Sequence, residues 1–365
     1  MNWMLRPYRA EIFLLFYHLI FAGIFTWYLQ AHGGDAIRYW ELRAETGHDP
    51  QTWSEHWGTR SYFVQWLNYL PAKVLQLPFW AGNLLYDLLS SVAILQLWRW
   101  YASYCSQNGL SPLWGFLVFL LPNLHFWTAG VSKEALALLG LVAWLRGTWM
   151  ARHSWDVLFL MFGLGISYMV RPLHGLVLLG FTLGWVLLRP GISQAVKWAL
   201  AFISIGLMAS MLLFLKYITH MQAWSWQALM AFSESQLRFL EGFSASSEVP
   251  MREYGLWKRL LVVWFSPMPW EAEGLWQWAA ALENLLLLLA FFVMVLYFFY
   301  HKSLKLPRFV WWGLLFGIFL SAVYLLTLNN WGLFMRMKSF YTVFYYLGAV
   351  LVLSQWSVKK NAIPL

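Results

Sequence analysis

The chain is short of charge and almost without cysteine. Asp, Glu, Lys and Arg make up 11% of its 365 residues, under half of the roughly 25% usual in soluble domains. So few charges cannot cover a surface that meets water on every side, which excludes a soluble enzyme and a disordered scaffold. Cys105 is the single cysteine, so no intrachain disulfide and no cysteine-based metal cluster can form, and a secreted disulfide scaffold is excluded. The net charge is +9, but the basic residues lie singly between apolar runs. A nucleic-acid surface needs them clustered on a polar face, so nucleic acid is not an expected partner. What is abundant is apolar: 61% of residues are hydrophobic and 20% are Phe, Trp or Tyr.

A membrane helix needs roughly 20 mostly apolar residues. About ten such spans are expected, at 10–29, 79–98, 112–128, 131–149, 155–170, 173–188, 196–216, 278–299, 309–328 and 339–357. Two further apolar stretches, 61–78 and 257–270, are interrupted by Pro71, Pro78, Pro267 and Pro269 and read as interfacial or re-entrant helices. The expected fold class is therefore all-α, a polytopic transmembrane helical bundle, with one membrane domain over 1–365. The first apolar run, about 18 residues, exceeds the core of a signal peptide and is expected to be retained. With the N-terminus in the cytoplasm, the short inner segments hold Arg6, Arg9, Arg99, Arg146, Arg152, Arg189, Lys197, Lys302, Lys305, Arg308, Lys359 and Lys360 against only Glu11 and Asp156. Positive charge concentrates on the cytoplasmic side of membrane proteins, so both termini are expected inside. Two long outer loops, 30–78 and 217–277, carry most of the remaining charge.

The polar residues at span ends differ between the two sides. Inner ends carry, with few exceptions, solitary Lys or Arg. Outer ends carry mixed groups: Asp35, Arg38 and Tyr39 after Gly33-Gly34; His125; Lys133 and Glu134; Arg171 and His174; Glu271 and Glu273; Arg336 and Lys338. Each has a plain alternative. Lys133 and Arg171 would snorkel to the interface from a helix end, His125 would sit in the aromatic belt, Glu271 and Glu273 would be solvated, and Asp35 would cap a turn. Independent snorkelling does not account for acids and histidines gathered beside the bases. Asp87 and Glu283 lie inside expected spans and read first as structural pairs, with a polar cavity as the alternative.

Arginines drawn from several helices suit a phosphate or pyrophosphate, because the planar guanidinium matches its oxygens. A nearby carboxylate suits a general base, and cations suit the charge growing on a leaving phosphate. Trp and Tyr in the outer loops 30–78 and 217–277 are either the usual interfacial belt or platforms for sugar rings. His32, Asp35, His48, Asp49 and His56 share one loop but fit no zinc spacing. No metal site is expected, and a divalent cation bridging Asp35 and a phosphate stays open.

In order along the chain, Gly34-Asp35-x-x-x-Tyr39, the segment from Leu121 to Leu136 with Pro122, His125, Trp127, Gly130, Lys133 and Glu134, Arg171-Pro172-x-His174, Pro267-x-Pro269-Trp270-Glu271 and Asn330-x-Gly332-x-x-x-Arg336 resemble motifs of bacterial GT-C-type glycosyltransferases and O-antigen-polymerase-like membrane proteins of polysaccharide synthesis. The resemblance implies a GT-C-like bundle in the bacterial inner membrane. It implies a sugar donor linked to polyprenyl phosphate or pyrophosphate, used at the outer face, with membrane lipid and other polysaccharide-assembly proteins as partners. By position it makes Asp35 the first-loop acid and Arg171 and Arg336 the diphosphate ligands. The expected catalytic residues are Asp35, His125 and Glu271. The expected substrate-binding residues are Arg38, Tyr39, Lys133, Glu134, Arg171, His174, Arg336 and Lys338. A flippase or transporter, or a non-catalytic subunit of a synthesis complex, is the alternative.

Overall fold

A computed structural model describes residues 7–44, 49–191, 193–218, 220, 223–242, 247–302 and 304–361. Arg6 and His48, used above, lie outside the described residues, as do the side chains of Lys359 and Lys360. The described chain is helical, with one isolated β-bridge between Glu248 and Asn330. In order the helices are α1 (Pro7–His32), α2 (Asp35–Trp40), α3 (Ser61–Asn68), α4 (Phe79–Gln107), α5 (Leu113–Val118), α6 (Pro122–Thr128), α7 (Lys133–Gly147), α8 (Val157–Val170), α9 (Pro172–Leu188), α10 (Gln194–Ile218), α11 (Trp226–Glu241), α12 (Leu256–Phe265), α13 (Leu275–His301), α14 (Arg308–Thr327) and α15 (Trp331–Asn361).

Among the described residues five helices, α1, α10, α13, α14 and α15, are long and apolar enough to cross a membrane, and six if the pair α6 and α7, bent by 107°, counts as one crossing. This is fewer than the ten expected, for three physical reasons. The 29 residues of α4 bury Asn83, Asp87, Ser90 and Ser91, so it has the length without the apolar character. The expected span 112–128 is two short helices, because Pro122 has no N–H to continue a helix and holds Leu121 extended at φ −65°, ψ 125°. Helices α7, α8 and α9 have 15, 14 and 17 residues, or about 21–26 Å at 1.5 Å per residue, short of a hydrocarbon core of about 30 Å. The two proline-interrupted stretches contain α3, continued by a π-helical turn at Tyr69–Val74, and α12.

Close packing joins α7 to α8. Gly140 and Gly147 of α7 face Gly163 and Leu160 of α8 so closely that a Cβ on Gly163 would lie 2.7 Å from the Gly140 carbonyl oxygen. Small residues of this kind let helix backbones approach where lipid supplies no hydrophobic drive. Opposite ends of α7 then carry different chemistry. At its C-terminal end Arg146 pairs with Asp156 at 3.1 Å, and nearby Arg99 pairs with Glu11 at 2.6 Å. Lys133 and Glu134 lie about 18 Å away along the axis, where the candidate site forms.

Candidate functional site

Four local features build the site. First, Gly33 and Gly34 take φ +74° and +147°, values that glycine adopts without strain. The Gly33 N–H closes α1 on the Leu29 carbonyl at 2.7 Å, and the chain turns at once into α2 with Asp35 at its start. Second, the Ser132 hydroxyl accepts from the Ala135 N–H at 3.1 Å and caps α7, which puts Glu134 in the first turn, where the helix dipole favours an acid. Third, Pro172 opens α9 and holds Arg171 extended at φ −149°, ψ 97°, so the arginine projects from a break between α8 and α9. Fourth, Asn330 Oδ1 accepts from the Leu333 N–H at 3.2 Å at the start of α15, setting Arg336 one turn into the helix.

These elements converge. Arg336 donates from Nε to Glu134 at 2.8 Å and from Nη1 to Asp35 at 3.0 Å. Arg171 donates to the other oxygen of Glu134. Arg38 donates to the other oxygen of Asp35 at 2.9 Å. Lys133 donates to the Ser61 hydroxyl at 2.8 Å and lies 5.1 Å from the centre of the Tyr39 ring. Arg38 lies 5.7 Å from the same ring. Tyr39 is itself buried and anchored through its carbonyl, which accepts from Asn68 at 3.2 Å. Asp35, Arg38, Tyr39, Lys133, Glu134, Arg171 and Arg336 thus share one cluster, although 301 residues separate Asp35 from Arg336.

Its electrostatics are lopsided. Four cations face two carboxylates. Glu134 is fully buried between two guanidiniums, while the Asp35 side chain is 43% exposed. For Asp35, desolvation pushes the carboxyl up, but Arg336, with Arg38 and Lys133, outweighs it and holds the group below its ordinary range. Among the described residues the buried Nε of Arg171 has no partner. A surplus of cationic charge at a part-open site is what an anion such as a phosphate requires.

The structure does not bring the other expected residues here. His125 is buried in the bundle, its Nε2 donating to the Phe119 carbonyl at 2.6 Å and its Nδ1 2.9 Å from Nδ1 of His18. His174 faces inward onto the Tyr324 hydroxyl at 2.9 Å. Glu271 accepts from the Met268 N–H at 2.7 Å and serves its own turn. The Lys338 ammonium donates to the Val263 and Trp264 carbonyls at 3.3 and 2.7 Å, at the end of α12. In each case a nearby backbone or side-chain group satisfies the residue, and of these pairs His174–Tyr324 borders the cluster, with the His174 N–H donating to the Arg171 carbonyl at 2.8 Å.

Two residues were not legible as candidates. Ser61 carries no motif. His18 sits mid-span in α1, where an ionisable group is itself a signal; it lies 2.8 Å from the Ser90 hydroxyl and 3.3 Å from Asp87. Among the described residues no group of three or more His, Cys, Asp or Glu gathers as a metal site would. Each oxygen of Asp35 accepts from an arginine. No family model matches the chain, and no curated protein or solved structure matches it.

Proposed function

We propose that this chain is a membrane glycosyltransferase or polysaccharide polymerase that takes its sugar from a polyprenyl phosphate or pyrophosphate donor at the outer face of the bacterial inner membrane, with both termini cytoplasmic. The observation that carries the reading is the surplus of two positive charges in a part-open cluster built from four separate helical regions. In the reaction, the anomeric C–O bond to phosphate breaks and a bond forms from that carbon to an acceptor hydroxyl oxygen. The hydroxyl proton passes to the phosphate oxygen freed by that cleavage, and the polyprenyl phosphate leaves as an anion. Lys133, Arg171, Arg336 and Arg38 would hold that anion and stabilise its growing charge. Asp35, held below its usual range, is a weak base. Its role in this reading is to aim Arg38 and Arg336 at the phosphate oxygens.

The test is transfer of labelled sugar from a polyprenyl-diphosphate donor in membranes carrying Asp35→Ala or Arg336→Ala at wild-type protein level. Loss of product in both supports the reading, and product retained in both removes it. One observation favours a second reading, transport of a lipid-linked saccharide. Asp87, His18 and His125 form a buried polar chain within α4, α1 and α6, and transporters place ionisable groups at that depth. Labelled headgroup crossing a vesicle wall without new glycosidic bonds would select it.

A further inference from the structure

A cavity of about 350 Å³ opens between the first turns of α13 and α15, the C-terminal part of α1 and the segment at Pro122. Its walls are aromatic. Trp276 stands 5.2 Å from Tyr28 and 5.8 Å from Phe126, and Phe126 stands 5.0 Å from Trp127, centre to centre. Glu283 lines the same cavity two turns into α13 and is 6% exposed. One of its carboxylate oxygens accepts from the Asn123 N–H at 2.7 Å. Among the described residues no donor reaches the other, and the side chain lines the cavity. Lys338, the cation on the neighbouring helix, spends its ammonium on backbone carbonyls instead. A nearly buried carboxylate thus presents an unused acceptor to an aromatic chamber.

The chamber adjoins the charged cluster. Met335, which lines it, precedes Arg336, and its carbonyl accepts from Asn123 at 3.3 Å. Trp127, also on the wall, holds through its carbonyl the Ser132 hydroxyl that caps α7 ahead of Lys133 and Glu134. One stretch of α15 and one of the α6–α7 turn therefore border both compartments.

The chemistry selects the occupant. A hydrocarbon tail would leave the Glu283 oxygen facing apolar atoms, and an unpaired buried polar group is costly, more so when charged. A phosphate would be repelled by Glu283 and by Glu273 at the rim. A ring with an apolar face and hydroxyl donors satisfies both features at once, stacking on the aromatics and donating to the carboxylate. We infer that this cavity is a saccharide-binding site in which Trp276 stacks on a sugar ring and Glu283 accepts a sugar hydroxyl. That the bound ring is the sugar acceptor of a transferase rests on the reading above; that the cavity binds a saccharide does not.

The test uses methyl glycosides of glucose, galactose and N-acetylglucosamine with the purified full-length protein in nanodiscs, read by saturation-transfer NMR. At least one glycoside is expected to receive saturation on its ring protons from wild-type protein. Its affinity is expected to fall roughly tenfold in Trp276→Ala and in Glu283→Leu, about the loss of one aromatic or one hydrogen-bonding contact, with recovery in Trp276→Phe. Asp35→Ala is expected to keep glycoside binding, which separates this site from the cluster. Absence of saturation transfer from all three glycosides, or wild-type affinity in both cavity variants, overturns the inference. So does binding of tetramethylammonium in place of every glycoside. Glycoside binding by a protein that transfers no sugar would sink the transferase reading and leave the cavity assignment standing.

Discussion

Replacing Glu134 by glutamine removes one charge with almost no change of shape, at the point where the cluster can least tolerate it. The carboxylate is fully buried and bridges Arg171 and Arg336. Without its charge, two guanidiniums remain close together in a poorly solvated place, with Asp35 the nearest counter-charge to Arg336. Breaking one partner out of a buried ion pair costs about 3–5 kcal/mol. Unfolding entropy of about 2.1 cal/mol/K per residue over this chain gives about 0.8 kcal/mol/K, so the melting temperature should fall by about 4–6 °C. The protein carries its own probe. Cys105 is the single cysteine and is fully buried, so a fluorogenic maleimide reports opening of the bundle. A Glu134→Gln melting temperature within 1 °C of wild type would show that the acid does not lie between the two arginines. A double-mutant cycle with Arg171→Met then reads the pair directly, and an interaction energy near zero would refute the geometry.

Asp35 sets a pH dependence. Its folded value lies below the ordinary 3.8, so its stabilising contribution is complete above that value and is lost as the pH falls through the lower, folded one. The melting-temperature difference between wild type and Asp35→Asn should stay constant from about pH 5 to 8 and shrink below about pH 4; a difference that changes between pH 6 and 8 contradicts this. Gly163→Ala should destabilise by about 1–3 kcal/mol, because the new methyl meets Gly140 O at 2.7 Å and the Trp144 Cα at 2.8 Å, backbone atoms that cannot swing aside. Gly165→Ala, two residues on with open space around it, is the neutral control in the same maleimide melt. Lys338→Met should cost about 3–6 kcal/mol through two lost charged hydrogen bonds and leave polyprenyl-diphosphate affinity unchanged. Lost affinity at unchanged stability would put Lys338 back in the anion site.

The charged residues at helix ends were legible because each break has a local cause written in neighbouring residues: Gly33-Gly34 before Asp35, Ser132 before Lys133, Pro172 after Arg171. What composition and order did not supply is direction. Lys338 follows Arg336 by two residues, and at 100° per residue the two side chains point about 200° apart, so only one can face the cluster. The spacing shows that the two diverge but not which of them faces the cluster. His174 stands in the first turn of α9, and its turn inward to Tyr324 depends on a residue 150 positions away. Apolar runs also overstated the crossings, since a hydropathy window passes over the break at Pro122 and over the buried polar face of α4. Glu283 was visible as an acid within a span, but its role follows from what it faces. Its second oxygen opens on a chamber whose walls come from α1, α6 and α15.

The proposed function requires that residues from α2, α7, the α8–α9 break and α15 form one anion site for a lipid diphosphate. The direct measurement is binding of a polyprenyl diphosphate to the purified protein by native mass spectrometry, comparing wild type with Lys133→Met and Arg171→Met. The account predicts a one-to-one adduct on wild type that falls at least roughly tenfold in each variant, the worth of one charge-assisted contact, while a neutral polyprenol binds all three alike. Equal diphosphate adducts on wild type and both variants would contradict it.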